Sequence, residues 1–269
     1  MANEGESVRW NDEQWAAAWP QRERLTNEVS PFLLDAAGAG AGQRVCDIGC
    51  GGGMLTLALA QRVGLGGEAI GIDISAPLLE LARSRASEAA VSNARFVQMD
   101  MQTGVLGGEP LDLAVSQFGV MFFDEPTVAF AAIRRHLIPG GRLVFACWQG
   151  VECNPWYGRG ALRSLLAPPP TPPPGKSPIG PFVLGDDEYV RDVLTAAGFV
   201  SVESAAQETT VRAPASAVID PSQFRIMGVP PEKETEALAL VERHLERFAV
   251  GPDVYEYPLA FRLYQSVNP

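Results

Sequence analysis

The chain has 269 residues, 46% hydrophobic and 20% charged, with a mean hydropathy of +0.03, which is the make-up of a soluble globular protein of one or two domains. Lys+Arg 21 against Asp+Glu 32 gives a net charge of −11, which repels phosphate backbones and argues against nucleic acid as a partner. There is no apolar run long enough to span a membrane. The polar stretch Met1–Arg9 does not read as a secretory signal, and Cys46, Cys50, Cys147 and Cys153 lack the spacing of a metal site, so reduced thiols in a cytoplasmic protein are expected.

Taken in order, the chain first offers Trp10, Trp15 and Trp19; the last two are four residues apart and share a face if this segment is helical. A short β run, Arg44–Asp47, leads into a glycine-rich loop, Gly49–Gly53, and a helical stretch, Met54–Arg62. Glu68–Asp73 reads as a second strand. A helix over 75–91 follows, with Ser75 placed to cap it and Leu78, Leu81, Ala82, Ala86 and Ala89 on one face. Arg95–Met99 and Leu111–Val115 read as the third and fourth strands. Asp124–Leu137 is a helix stopped by Pro139-Gly140-Gly141, and Arg142–Trp148 is the fifth strand. This alternation predicts βαβ units and a mostly parallel sheet with helices on both faces.

After Trp148 the character changes. Residues 168–174 hold six prolines and read as a stiff or extended excursion. A helix is expected at 186–197, a short strand at Phe199–Glu203, an amphipathic helix at 232–250 and a final strand at Leu259–Ser266.

The chemistry centres on Asp47-Ile48-Gly49-Cys50-Gly51-Gly52-Gly53. Glycines after a strand let a ligand approach the backbone, and the next helix aims its free N–H groups at the same place. Dinucleotide binders use a related loop, so an NAD-dependent oxidoreductase is the alternative enzyme; here position 54 is methionine where the third glycine would stand. Asp47 separates the two. Its carboxylate would repel a pyrophosphate but attract a ligand with an ammonium and a sulfonium, which favours S-adenosylmethionine. Asp73 at the end of the second strand can accept ribose hydroxyls, and Asp100 with Met101 at the end of the third can accept the adenine amino group and pack on its ring.

Together these segments resemble the class I S-adenosylmethionine-dependent methyltransferases, nearest the ubiquinone/menaquinone-methyltransferase-like enzymes of small molecules. Asp47–Gly53 is similar to that family's first motif and Asp73 to the acidic end of its second. Asp100-Met101 resembles the adenine-contacting pair. Leu111–Phe118 and Leu137-Ile138-Pro139-Gly140-Gly141-Arg142-Leu143 resemble the fourth-strand motif and the turn before strand five, and Ala197-Gly198-Phe199 the entry to strand six. The resemblance implies a Rossmann-like, seven-stranded, mostly parallel sheet with an antiparallel last strand. It implies a cofactor site built from Asp47, Gly49, Cys50, Gly51, Asp73, Ile74, Leu78, Asp100, Met101, Ser116, Gln117 and Phe118.

Trp15 and Trp19 are expected to close over that site. Phe118, Met121, Phe122, Trp148, Trp156, Tyr157, Phe182 and Phe224 are expected to line an apolar acceptor pocket. The corresponding organisation is a lid segment (1–35), a cofactor-binding core (36–150), cap insertions with strand six (151–250) and a final strand (251–269). The expected reaction is O- or C-methylation of a small, largely apolar or aromatic acceptor. A non-catalytic S-adenosylmethionine-binding protein is the rival of another class. No catalytic base is identified: His136 reads as a cation near a helix end and His244 as a solvated flank residue. No metal or membrane is expected, and a dimer is compatible with the sequence.

Overall fold

The computed structural model describes residues 4–166, 180–219, 224 and 228–269. Three helices precede the sheet: α1 (Glu4–Trp10), α2 (Glu13–Arg24) and α3 (Ser30–Ala37). Asp12 caps α2 by accepting from the Trp15 N–H, and Gly38 ends α3 in the left-handed conformation.

The core then alternates β1 (Arg44–Ile48), α4 (Met54–Val63), β2 (Glu68–Asp73), α5 (Ala76–Glu88), β3 (Ala94–Gln98), β4 (Leu111–Gln117), α6 (Pro126–Arg135) and β5 (Leu137–Trp148). β1, β2 and β4 are apolar runs buried along most of their length, as central strands covered on both faces should be. Ser75 caps α5, accepting from the Leu78 N–H as its position in the sequence predicts. After β5 come α7 (Asp187–Ala196), β6 (Val200–Pro214), the single turn α8 (Ala215–Val218), α9 (Glu234–Leu245), β7 (Ala249–Gly251) and β8 (Val254–Val267).

The sheet order is β3-β2-β1-β4-β5-β8-β6, with β7 on β8. Strands β1 to β5 pair in parallel, and β8 runs antiparallel between β5 and β6. The expected Rossmann-like sheet is therefore present, with a short eighth strand added. The order reverses between β1 and β4, and the crevice outside their carboxyl ends is where an open α/β sheet binds its ligand.

Several boundaries differ from the sequence reading. β6 spans 15 residues rather than five, and β8 begins at Val254 rather than Leu259. Glu203–Thr210 is too polar to read as a strand, yet it pairs with β8 residue by residue up to Pro214↔Val254. The helix expected over 232–250 ends at Leu245, because Ala249–Gly251 turns back to pair with β8. Pro139-Gly140-Gly141 lies inside β5, where Asn268 satisfies the backbone: the Gly140 N–H donates to the Asn268 carbonyl and the Asn268 N–H to that of Gly141, both at 2.8 Å.

The main core lies between the sheet and its helices. A second, smaller one holds Leu162, Phe224, Val229, Ala237, Val241 and Leu245. The proline run 168–174, within the 151–250 segment expected to carry cap insertions, lies outside the described residues.

Candidate active site

A cavity of about 500 Å³ opens at the carboxyl ends of β1, β2 and β4. Its floor is the glycine loop. Gly49, Gly51 and Gly53 all have positive φ (70°, 51° and 81°), which a side chain would strain. Gly49 packs backbone to backbone on Gly119: a Cβ on Gly49 would lie 2.7 Å from the Gly119 Cα. The loop is thus shaped by close approaches that only glycine permits.

Asp47 is buried beneath the loop and accepts from the Thr56 hydroxyl at 2.7 Å. Burial pushes its pKa up to about 7; the nearby Asp73 and Glu23 charges add to the rise, and the Thr56 hydrogen bonds oppose it. Asp73 accepts from the Gly51 N–H at 2.8 Å and the Ser75 N–H at 2.9 Å. Burial raises its pKa too, against those donors. The Ile74 backbone also donates to it, and the carboxylate still has acceptor capacity for a ligand. Asp100 accepts from the Gln102 N–H at 2.9 Å, and Met101 is buried beside it. Gln117 is held on both sides, its amide oxygen accepting from the Ser30 hydroxyl and its nitrogen donating to the Thr26 carbonyl.

Of the residues expected at the cofactor site, Asp47, Gly49, Cys50, Asp73, Ile74, Leu78, Asp100, Met101, Gln117, Phe118, Trp15 and Trp19 line one cavity. Gly51 and Ser116 do not. The Gly51 N–H is taken by Asp73, and the Ser116 hydroxyl braces the loops, donating to the Ile48 carbonyl at 2.7 Å and accepting from the Gly119 and Val120 N–H groups. Cys50 is buried, and burial pushes its thiol far above the ordinary range, so it packs rather than attacks.

The N-terminal helices roof this end. Trp10, Trp15, Trp19 and Phe122 form an edge-to-face cluster, with Arg22 stacked 3.6 Å over Trp15. Asn11 ties the segment to the β2–α5 turn, donating to the Ile74 carbonyl and accepting from the Ala76 N–H, and Ser75 donates to the Trp10 carbonyl at 2.6 Å.

Farther along, the wall is aromatic. Phe118, at φ 63°, stacks on Trp148 with centroids 3.9 Å apart. Trp148 meets Trp156 edge-on at 5.3 Å. Trp156 is aimed by Asn154, a fully buried side chain that accepts from its indole N–H at 3.0 Å and clamps both backbone groups of Ala260. Met121, Phe122, Tyr157 and Phe224 also reach the cavity; Phe182 stands behind, edge-on to Tyr157 at 4.8 Å. Sequence reasoning missed Trp10, Arg9 and Arg22 on the roof, and Tyr257 and Leu259 on the far wall. A third N-terminal tryptophan was a usable signal for the roof. The far wall was not visible without the full length of β8.

Neither histidine lines the cavity. His136 Nε2 accepts from the Leu106 N–H at 3.0 Å, so Nδ1 carries the proton and donates to the Ala132 carbonyl at 2.8 Å. Both ring nitrogens are thus engaged in bracing the backbone. His244 donates to the Pro155 carbonyl at 2.8 Å. Among the described residues no cluster of His, Cys, Asp and Glu could hold a metal, and no helix is long and apolar enough to cross a membrane.

Acidic strand ends below, a glycine floor, and above them indole N–H groups of Trp15 and Trp19 that are buried with no partner among the described residues make a site for a cationic nucleoside ligand. S-adenosylmethionine fits that donor and acceptor set. This is the arrangement of a Rossmann-like, nucleoside-dependent transferase.

Comparison with known proteins places it further. The methyltransferase domain family matches residues 45–141. Nocamycin O-methyltransferase of Saccharothrix syringae is 30% identical over 252 residues, covering 87% of this chain and 89% of that one. The ubiquinone/menaquinone biosynthesis C-methyltransferase UbiE of Stutzerimonas stutzeri is 34% identical over 114 residues, 42% of this chain and 44% of that one. The fold is similar to that of Haemonchus contortus phosphoethanolamine N-methyltransferase 2 in complex with S-adenosyl-L-methionine, with a TM-score of 0.63 at 14% identity, covering 97% of this chain and 59% of that one. The chain belongs to the class I S-adenosylmethionine-dependent methyltransferases, and this family sets the oxidoreductase reading aside.

Proposed function

We propose that the protein methylates an oxygen or carbon of a small, planar, largely apolar acceptor. The observation that carries this is the continuity of one cavity, from the carboxylates Asp47, Asp73 and Asp100 to the aromatic wall of Phe118, Trp148, Trp156 and Tyr157. A cation-compatible end and a flat apolar end share one continuous cavity, as in-line transfer between two ligands requires.

S-adenosylmethionine supplies an activated methyl group when bound. The chain's own contribution is placement: Asp73 would hold the ribose, Asp100 and Met101 the adenine, and Asp47 would face the cationic end. The aromatic wall would orient the acceptor, and the roof of Trp10, Trp15 and Trp19 would exclude water. Orientation of this kind is worth roughly 7–11 kcal/mol of a barrier. With both histidines committed to bracing, an acceptor that ionises readily by itself, such as a phenol or an enolisable carbonyl compound, suits the site best. The nocamycin O-methyltransferase and UbiE matches support small-molecule O- or C-transfer.

The test is incubation with S-adenosylmethionine and a panel of phenols, hydroxyquinones and enolisable 1,3-dicarbonyl compounds, with S-adenosylhomocysteine release as readout. Release that depends on one of these classes supports the reading. Tight cofactor binding without release on any acceptor would favour the non-catalytic binder.

A further inference from the structure

The parallel strands end at Trp148, which pairs with Phe261, but β6 and β8 continue together well past that edge. Tyr257 lies on this extension, opposite Val211. Its ring tilts against Trp156 at 5.8 Å and meets Phe248 at 6.1 Å. The residue is only 3% exposed, and it lines the cavity. Its hydroxyl has no hydrogen-bond partner among the described residues.

A phenylalanine would pack against Trp156 and Phe248 equally well. A tyrosine adds one polar atom on a residue that lines the cavity, and with no partner among the described residues that atom is available to a ligand. Burial also holds the phenol well above its ordinary pKa, so at neutral pH the group is a donor. The cavity it lines also carries the apolar side chains Leu162, Val218, Phe224, Val241, Leu245 and Leu259. In a pocket of that kind a single polar group fixes the orientation of the ligand.

We propose that Tyr257 is the acceptor-positioning residue, its O–H donating a hydrogen bond to a carbonyl, enolate or phenolate oxygen of the bound acceptor. The proposal rests on reading this end of the cavity as the acceptor pocket, and it adds that the acceptor bears an oxygen on the side facing β8.

The test compares 2-naphthol with naphthalene, two flat probes that differ by one oxygen. Their dissociation constants are measured by ligand-detected NMR on the full chain in the presence of S-adenosylhomocysteine, for wild type and Tyr257→Phe. The wild type should bind 2-naphthol roughly three- to tenfold more tightly than naphthalene. In Tyr257→Phe that preference should vanish while naphthalene and S-adenosylhomocysteine bind as before; a merely structural tyrosine would not move the ratio. A preference that survives in Tyr257→Phe, or its absence in the wild type, would overturn the role of Tyr257 while leaving the pocket in place. Failure of both aromatics to bind the wild type, with S-adenosylhomocysteine bound, would instead overturn the acceptor-pocket reading and this proposal with it.

Discussion

Glu23 on α2 pairs with Arg85 on α5 at 2.7 Å, and the same Arg85 nitrogen donates to the Gly52 carbonyl at 2.7 Å. One guanidinium therefore couples the roof to the glycine floor. Both partners are largely buried, so removing one leaves a charge without compensation. Arg85→Ala should loosen the roof and raise the KM for S-adenosylmethionine several-fold. Deleting residues 1–20 should abolish turnover yet leave a cooperative thermal unfolding transition, because the βαβ core is complete without them. Normal turnover by the truncated protein would show that the roof plays no part.

Gly51 offers a sharper probe of the same contact. Its φ is 51°, and a Cβ there would lie 2.5 Å from the Trp19 ring. Gly51→Ala should cost about 1–2 kcal/mol in backbone strain and push Trp19 off the loop. The expected result is a modestly lowered Tm with a much larger loss of cofactor affinity. Combining it with Trp19→Ala should give less than the sum of the two losses.

Asp47 should make cofactor binding depend on pH. Its pKa near 7 in the free protein lies far above the usual carboxylate value. A cationic ligand selects the ionised form, so its affinity should rise about tenfold from pH 6 to pH 8 and then level off. Asp47→Asn should bind weakly and lose that slope. The stability of the free protein should move the opposite way. The raised carboxyl stabilises the fold fully below pH 4 and loses that contribution as pH rises through 7, so Asp47→Asn should be relatively more stable at pH 8.

Asn154 connects stability to acceptor recognition. Its amide clamps Ala260 and holds the Trp156 indole. Asn154→Ala leaves buried groups unsatisfied and should lower stability by roughly 2–4 kcal/mol. The Tm should fall by several degrees. In the surviving folded protein the KM for the acceptor should rise while cofactor affinity holds.

How far the sequence revealed this site follows from the range of the interactions that build it. The Ser75 cap depends on neighbours a few residues away, and the glycine loop and the strand-end Asp73 stand in the chain as short contiguous signals, although the contacts of Gly49 with Gly119 and of Asp73 with the Gly51 N–H are longer in range. The bracing of Ser116, hydrogen-bonded to the Ile48 carbonyl 68 positions away, is visible only in three dimensions. The same holds for His136, whose ring is held by the Leu106 N–H. The far wall was hidden for another reason. Glu203–Thr210 is a polar strand stabilised by pairing with β8 rather than by an apolar alternation, so neither its length nor the reach of Tyr257 showed in the pattern. Trp10 was plain in the sequence, but its place depends on α1 folding back over Phe122.

Calorimetric titration of S-adenosylmethionine into wild type and Asp73→Ala, with NAD as the comparison ligand, tests the central claim most directly. The account predicts one S-adenosylmethionine bound per chain, roughly ten- to hundredfold weaker binding in Asp73→Ala through loss of a charge-assisted contact, and no heat with NAD. Unchanged S-adenosylmethionine affinity in a folded Asp73→Ala protein, or tight binding of NAD, would contradict it.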